Sequence, residues 1–258
     1  MSTAVLPAPV SSRGASSRPG LGRLTLVELR KMSDTRAGFW LLLSTALITV
    51  AVAVIAGFEL PTEDATLVNF LAISLLPASV LLPVMGILLV TSEWTQRTAM
   101  VTFVLVPHRG RVLAAKLLAG LGLTLVAFQI CLVLALVATA AAGGGGTDEW
   151  SLSAGLIGQA VVSVAIPMLT GIGFGAALLA SAPAIVLYFV LPTAFGILGS
   201  LNALEGVARW VDQSRTMDKL VEDTLSGTQW ARLGVSVALW TLLPLAVGWW
   251  RVARSDVR

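Results

Sequence analysis

The residues that could do chemistry lie mostly in one segment between two apolar stretches of the chain. Segment 92–116 carries an acid, an Arg-Thr pair, a short apolar run and a basic turn. A connection that only reverses the chain needs a few polar residues, so this segment is longer and more patterned than a turn requires. Its apolar run, 99–106, is too short to cross a bilayer. It is typical of a helix on the membrane surface, with charged ends pointing into the cytoplasm.

Residue types that serve catalysis are sparse in this sequence. The one histidine, His108, lies in that segment, and the one cysteine, Cys131, lies among Leu, Val and Ile. The sequence contains no GxxxxGK[ST], GxSxG or HExxH motif, which are the patterns of ATP-binding, serine-hydrolase and zinc-protease sites. We therefore expect no enzyme activity, no metal and no cofactor on this chain.

The elements that must position this segment are apolar helices. The chain has 258 residues, of which 56% are hydrophobic and 12% charged, about half the charged share of a soluble domain. Because a bilayer core of about 30 Å needs roughly 20 apolar helical residues, the sequence predicts an all-α integral membrane protein with six transmembrane helices. The predicted spans are 38–57, 66–91, 117–142, 152–180, 184–201 and 231–250. The uncharged run 152–201 is too long for one crossing and is divided near Ser181-Ala182-Pro183.

Charge placement predicts which way the spans face. With both termini inside, the inner segments hold thirteen Lys/Arg and four acids, and the outer segments hold four Lys/Arg and ten acids. This asymmetry is what the positive-inside rule requires. The N- and C-termini are therefore predicted to be cytoplasmic, in a multi-pass protein of the bacterial cell (plasma) membrane. The four outer cations are Arg209, Arg215, Lys219 and Arg232.

Three regions outside the individual spans are distinguished by composition. Residues 1–20 are rich in Ser, Pro, Ala and Arg and are predicted to be a disordered cytoplasmic tail. Residues 21–37 alternate apolar and charged types and are predicted to be an interfacial amphipathic helix, or else a charged lead-in that sets orientation. Residues 38–258 then form the six-span domain. Outer segment 202–229 has Met217, Leu220, Val221 and Leu225 at helical spacing, which favours an amphipathic helix over a solvated loop.

Polar residues inside the predicted spans are single and uncharged. No span carries an ionisable group in its interior, which weakens an ion-coupled or proton-coupled transport mechanism. Residues such as Gln129 and Gln159 could line a pathway or hydrogen-bond to a neighbouring helix, and we favour the second. The small-residue stretch 171–175 could pack within one bundle or form a dimer seam, and we favour the first.

In these features the sequence resembles the permease subunits of type-2 ABC exporters, which pair with a separate ATPase. That family has a cytoplasmic loop between spans two and three with a Glu, then a Thr or Ser, a Pro, an Arg and a Lys entering the next span. Members also often open with a basic helix carrying a Glu-Leu-Arg-Lys element. The chain departs from the pattern at Arg97, where a Gly is common. The resemblance implies docking to the ATPase through Glu28, Arg30, Lys31, Glu93, Arg97, Thr98, Pro107, Arg109, Arg111 and Lys116.

The resemblance also implies an activity and partners. The chain would be the membrane subunit of an ATP-driven exporter of an amphiphilic substrate, such as a drug, a lipid-linked molecule or a peptide. ATP and Mg²⁺ would be bound by a cytoplasmic ATPase subunit. A second permease subunit, identical or different, and membrane lipid would be the other partners, with no nucleic acid. The alternative is a non-transporting membrane anchor or sensor subunit that docks a cytoplasmic protein; a channel is disfavoured because no span has a polar stripe.

Overall fold

The structure is a computed structural model that describes residues 20–96, 109–143, 146, 149–201, 204–222 and 224–254. The described residues form helices and connections, with no strand among them. Six helices in this part of the chain are long and apolar enough to cross a membrane. The predicted all-α membrane fold is confirmed. Residues 1–19, most of the predicted disordered tail, lie outside the described residues.

The helices follow one another through short connections. Helix α1 is the predicted interfacial helix, α2 to α6 are the first five membrane-spanning helices, and α7 to α9 are short. Helix α10 continues through a π-helical turn, Ala238–Leu242, into α11 and makes the sixth span with it. The bounds are α1 Leu21–Asp34, α2 Arg36–Glu59, α3 Leu67–Thr95, α4 Arg109–Ala141, α5 Ala154–Leu178, α6 Ser181–Leu198, α7 Glu205–Val211, α8 Gln213–Met217, α9 Lys219–Glu222, α10 Gly227–Val237 and α11 Leu243–Arg254.

The long uncharged run is divided by a two-residue joint. Helix α5 ends at Leu178, Leu179 adopts the left-handed conformation at φ 56°, and α6 begins at Ser181. The hydroxyls of Thr91 and Ser181 are 2.7 Å apart, which ties the start of α6 to the end of α3. The break therefore lies two to three residues before the predicted position.

Helices α3 and α5 form the centre of the bundle and bury more of their surface than the other spans. Glycines on α5 allow their close approach. A Cβ on Gly171 would overlap the backbone of Pro83, and one on Gly175 would lie 3.0 Å from the carbonyl oxygen of Ile87. The small-residue stretch 171–175 thus packs against α3 within the chain. Helix α6 lies on the outside of the bundle, and Ala184 is its one buried residue.

The outer segment differs from its prediction. The described part of residues 202–229 holds three short helices rather than one amphipathic helix before the last span begins. Asp212 causes one of the breaks, because its carboxylate accepts hydrogen bonds from the amides of Ser214 and Arg215 and caps the start of α8. The predicted apolar face is nevertheless buried. Leu220 is fully buried, and Met217, Val221 and Leu225 pack beside it against α5 and α10.

Gln159 of α5 attaches this segment to the bundle. Its side-chain amide donates to the carbonyl oxygen of Leu220 at 3.0 Å, and its side-chain oxygen accepts from the amide of Leu225 at 3.0 Å. The side chain is buried. The interpretation of Gln159 as a residue that bonds a neighbouring element is therefore correct.

We expect Gln159→Leu to loosen the segment 219–225 without unfolding the bundle. The substitution leaves the Leu220 carbonyl and the Leu225 amide without their partner, at a cost of about 1–3 kcal/mol for each buried group. Hydrogen–deuterium exchange should become faster at the Leu225 amide and its neighbours. Gln129→Leu is the matched control, because Gln129 is exposed on α4. Equal exchange in the two variants would contradict the anchoring role.

Candidate functional site

The candidate site lies where α3 ends and α4 begins, and both helices extend further than their apolar runs predict. Helix α3 continues to Thr95, so Glu93 lies in its last turn rather than in a loop. Helix α4 begins at Arg109, so Lys116 lies two turns inside it rather than at its start. Hydropathy predicts only the part of a helix that lies within the bilayer, and α3 and α4 extend past their apolar runs.

Several predicted docking residues fall in the connection itself. Arg97, Thr98, Pro107 and the predicted surface helix 99–106 lie outside the described residues. Arg109 is the first residue of α4.

Four of the predicted docking residues form a closed ring of ion pairs, called here the charge ring: Glu28, Lys31, Glu93 and Lys116. Lys31 Nζ donates to Glu28 Oε1 at 2.8 Å and to Glu93 Oε1 at 2.7 Å. Lys116 Nζ lies 2.6 Å from Glu28 Oε2 and 3.2 Å from Glu93 Oε1. Each charge therefore contacts two charges of opposite sign, and the ring is neutral as a whole.

Most of the charge ring is buried. The side chains of Lys116, Glu28 and Glu93 are 4%, 6% and 9% exposed, and only that of Lys31 reaches solvent, at 40%. Glu93 and Lys116, both predicted as docking residues, are therefore shielded from solvent. They point towards each other and towards α1, because a charge removed from water is stabilised by a paired charge.

Hydrogen bonds add to the ion pairs. Lys116 Nζ also donates to the carbonyl oxygen of Leu89 at 2.9 Å, an acceptor one turn before Glu93 on α3. Burial lowers the pKa of the Lys31 ammonium group, but hydrogen bonds and Coulombic attraction from Glu28 and Glu93 raise it by more. The pKa of Lys31 is consequently held above its usual range.

The connection from α1 to α2 fixes the position of Glu28 and Lys31. Thr35 is extended between the two helices, at φ −78° and ψ 140°, and its hydroxyl accepts from the amide of Gly38 at 3.1 Å. A Cβ on Gly38 would overlap the carbonyl oxygen of Met32, so this elbow requires glycine. Met32 is itself buried in the main core. Helix α1 is thus attached at its end by the elbow and along its length by the charge ring.

The remaining predicted docking residues lie elsewhere on the same end of the bundle. Arg30 is exposed on the face of α1 opposite Glu28, together with Leu26 and Val27. Arg111 is partly buried in the first turn of α4 and has interactions of its own. Sequence reasoning selected the ring members individually but missed their pairing. The one local signal was the spacing of Glu28 and Lys31, which places them on one helix face.

This arrangement joins three helices through paired charges. At these distances the carboxylates and ammonium groups of the charge ring satisfy one another. Among the described residues, no group of three or more His, Cys, Asp or Glu side chains could hold a metal ion. The geometry fits a rigid joint between α1 and the ends of α3 and α4.

We expect Lys116→Met to destabilise the protein strongly. The substitution leaves Glu28 and Glu93 buried with Lys31 as their shared partner, and an uncompensated buried charge typically costs about 3–5 kcal/mol. Arg30→Gln is the control, because Arg30 is exposed on α1, the helix of Glu28, and its loss should change stability by less than about 0.5 kcal/mol. Unfolding in detergent, followed by tryptophan fluorescence, measures both.

A double-mutant cycle tests the pairing itself. Glu28→Gln combined with Lys116→Met removes one charge of each sign, so the double variant should be more stable than the sum of the single effects predicts. The difference should be about 0.5–3 kcal/mol, the range for residues in contact. Additive effects would show that Glu28 and Lys116 do not interact directly.

Comparison with known proteins adds no further assignment to this geometry. No protein-family model matches the chain, and no curated protein matches it either.

Proposed function

We propose that this chain is the membrane permease subunit of an ATP-driven exporter in the bacterial cell membrane. It would pair with a cytoplasmic ATPase subunit and with a second permease subunit, and ATP and Mg²⁺ would be bound by the ATPase. The six apolar spans and the likeness of segment 92–116 and of Glu28-Leu29-Arg30-Lys31 to exporter permeases support this proposal.

The observation that carries the proposal is the charge ring. A helix that lies outside the spans, α1, is locked to α3 and α4 through Glu28 and Lys31. A force applied to α1 would therefore move the ends of spans two and three as one body. A partner whose closure on ATP pushes on α1 would rock the bundle between two states, which is how rigid-body transitions couple distant sites.

The ring divides the predicted docking residues into two roles. Arg30, with Leu26 and Val27 beside it, is exposed on α1 and would contact the ATPase. Glu28, Glu93 and Lys116 are buried and would transmit the movement without touching the partner.

A cavity between α3 and α6 supports an amphiphilic substrate. It measures about 500 Å³, within the roughly 300–1,000 Å³ range of small-molecule sites. Leu76, Val80 and Phe189 give it apolar walls, and Gln213 and Asp218 place polar groups at its outer end. An apolar body with a polar end fits such a space.

The test is reconstitution of the permease with a candidate ATPase subunit in inside-out vesicles. We expect ATP-dependent uptake of a fluorescent amphiphile, and none with the permease alone. Arg30→Glu should reduce both co-purification of the ATPase and uptake, because it reverses a charge at the contact surface. Glu63→Lys, an equal reversal on an exposed residue of the connection between α2 and α3, is the control and should leave both unchanged.

Two results would contradict the proposal. Uptake by the permease without an ATPase would show that transport does not require ATP. Stable assembly with the partner but no ATP-dependent uptake of any amphiphile would favour the alternative, a membrane anchor that docks a cytoplasmic protein.

A further inference from the structure

The four cations predicted on the outer side of the membrane surround one small cavity. Arg209, Arg215, Lys219 and Arg232 line it, together with Thr216 and Gln229, and it measures about 190 Å³. These cations come from α7, α8, α9 and the last span, so the broken outer segment brings them together. Four like charges around one cavity repel one another unless a carboxylate or another anion lies between them.

The carboxylates nearby balance only part of this charge. Arg209 pairs with Glu205 at 2.8 Å, and Arg215 pairs with Asp212 at 3.2 Å. Among the side chains that the structure describes, neither Lys219 nor Arg232 has a carboxylate within 4.0 Å. The cavity is therefore left with two positive charges that the described residues do not neutralise.

Arg232 is positioned to receive a ligand. Its guanidinium lies over the ring of Trp210, 5.8 Å from the ring centroid, and this contact uses the face of the group. The N–H groups of a guanidinium lie in its plane and remain available for hydrogen bonds. Arg232 Nε is buried and has no hydrogen-bond partner, and a buried donor of this kind normally has one.

We propose that this cavity binds a single oxyanion, a phosphate, sulfate or carboxylate group. Guanidinium and ammonium groups supply donors only, and the guanidinium of Arg232 can bind such a group in a bidentate manner. Gln229 adds a donor, because its side-chain oxygen already accepts from the amide of Ser226 at 2.7 Å and its NH₂ group remains. The volume is below the range of drug-sized sites, which limits the ligand to a small group.

Two sources could supply this group, a free anion or the headgroup of a phospholipid. Trp210 and Trp230 are both substantially exposed near the start of the last span, and exposed indole rings at span ends are typical of the headgroup level of a membrane. The inference is independent of the proposed transport function, because it depends only on the outer segment.

The experiment uses the full chain, purified and delipidated in detergent. One arm measures the thermal unfolding midpoint during titration with inorganic phosphate or sulfate, with chloride holding the ionic strength constant. The other arm measures by native mass spectrometry whether the protein retains phosphatidylglycerol in preference to a phosphate-free galactolipid. We expect saturable stabilisation in the first arm, preferential retention in the second, or both.

Variants assign the binding to this cavity. Arg232→Gln and Lys219→Gln should each weaken binding about tenfold, the loss expected for one hydrogen bond to a charged group. Arg254→Gln is the matched control, because Arg254 also lies over an indole ring, that of Trp250 at 5.0 Å, but belongs to the opposite end of the last span. It should bind like the unaltered protein.

Each outcome decides the proposal. Binding of free phosphate or sulfate alone identifies a soluble anion as the ligand, and retention of phosphatidylglycerol alone identifies a lipid headgroup. No binding in either arm, or equal binding by the Arg232, Lys219 and Arg254 variants, would overturn the proposal. If Arg232→Gln does not fold, binding is compared instead in Arg232→Lys and in Lys219→Gln, which replaces an exposed residue.

Discussion

Charge that is buried beside a membrane-spanning bundle must be neutralised locally, and the charge ring meets this requirement within the chain. Because water is excluded, neither Glu28 nor Lys116 can separate from its partners without leaving an uncompensated charge. The position of α1, the tight elbow at Thr35 and Gly38, and the extension of α3 and α4 beyond their apolar runs all serve this one contact. The result is a basic end in which α1, α3 and α4 are joined by paired charges.

The charges at the two ends of the bundle are therefore balanced to different extents. At the basic end, the buried ions pair with one another and the ring is neutral. At the outer end, Asp212 and Glu205 neutralise only part of the charge, and the cations around the small cavity exceed the described acids. An end that is balanced internally suits mechanical attachment, whereas an end with unbalanced charge suits capture of a ligand.

The sequence predicts six apolar helices, as observed, because long apolar runs have one stable arrangement in a bilayer, which is helical. It does not predict the charge ring, because Glu28 and Lys116 are separated by 88 residues and nothing local indicates that they meet. Likewise, the spacing of Met217 and Leu220 correctly predicts a buried face, but the capping carboxylate of Asp212 divides the expected helix into short pieces. Periodicity records which residues are buried, and capping decides where helices end.

The joint at Leu179 and Ala180 has a consequence for how the protein enters the membrane. Helix α6 has 18 residues and spans about 27 Å, close to the hydrocarbon thickness, and it carries no charged residue to orient it. A connection of two residues is too short to cross a bilayer. Once α5 is inserted, α6 must therefore cross in the opposite direction. The orientation of the fifth span is therefore inherited from the fourth during biosynthesis. A longer joint would remove that dependence, and the charges of the flanking segments would then orient the fifth span.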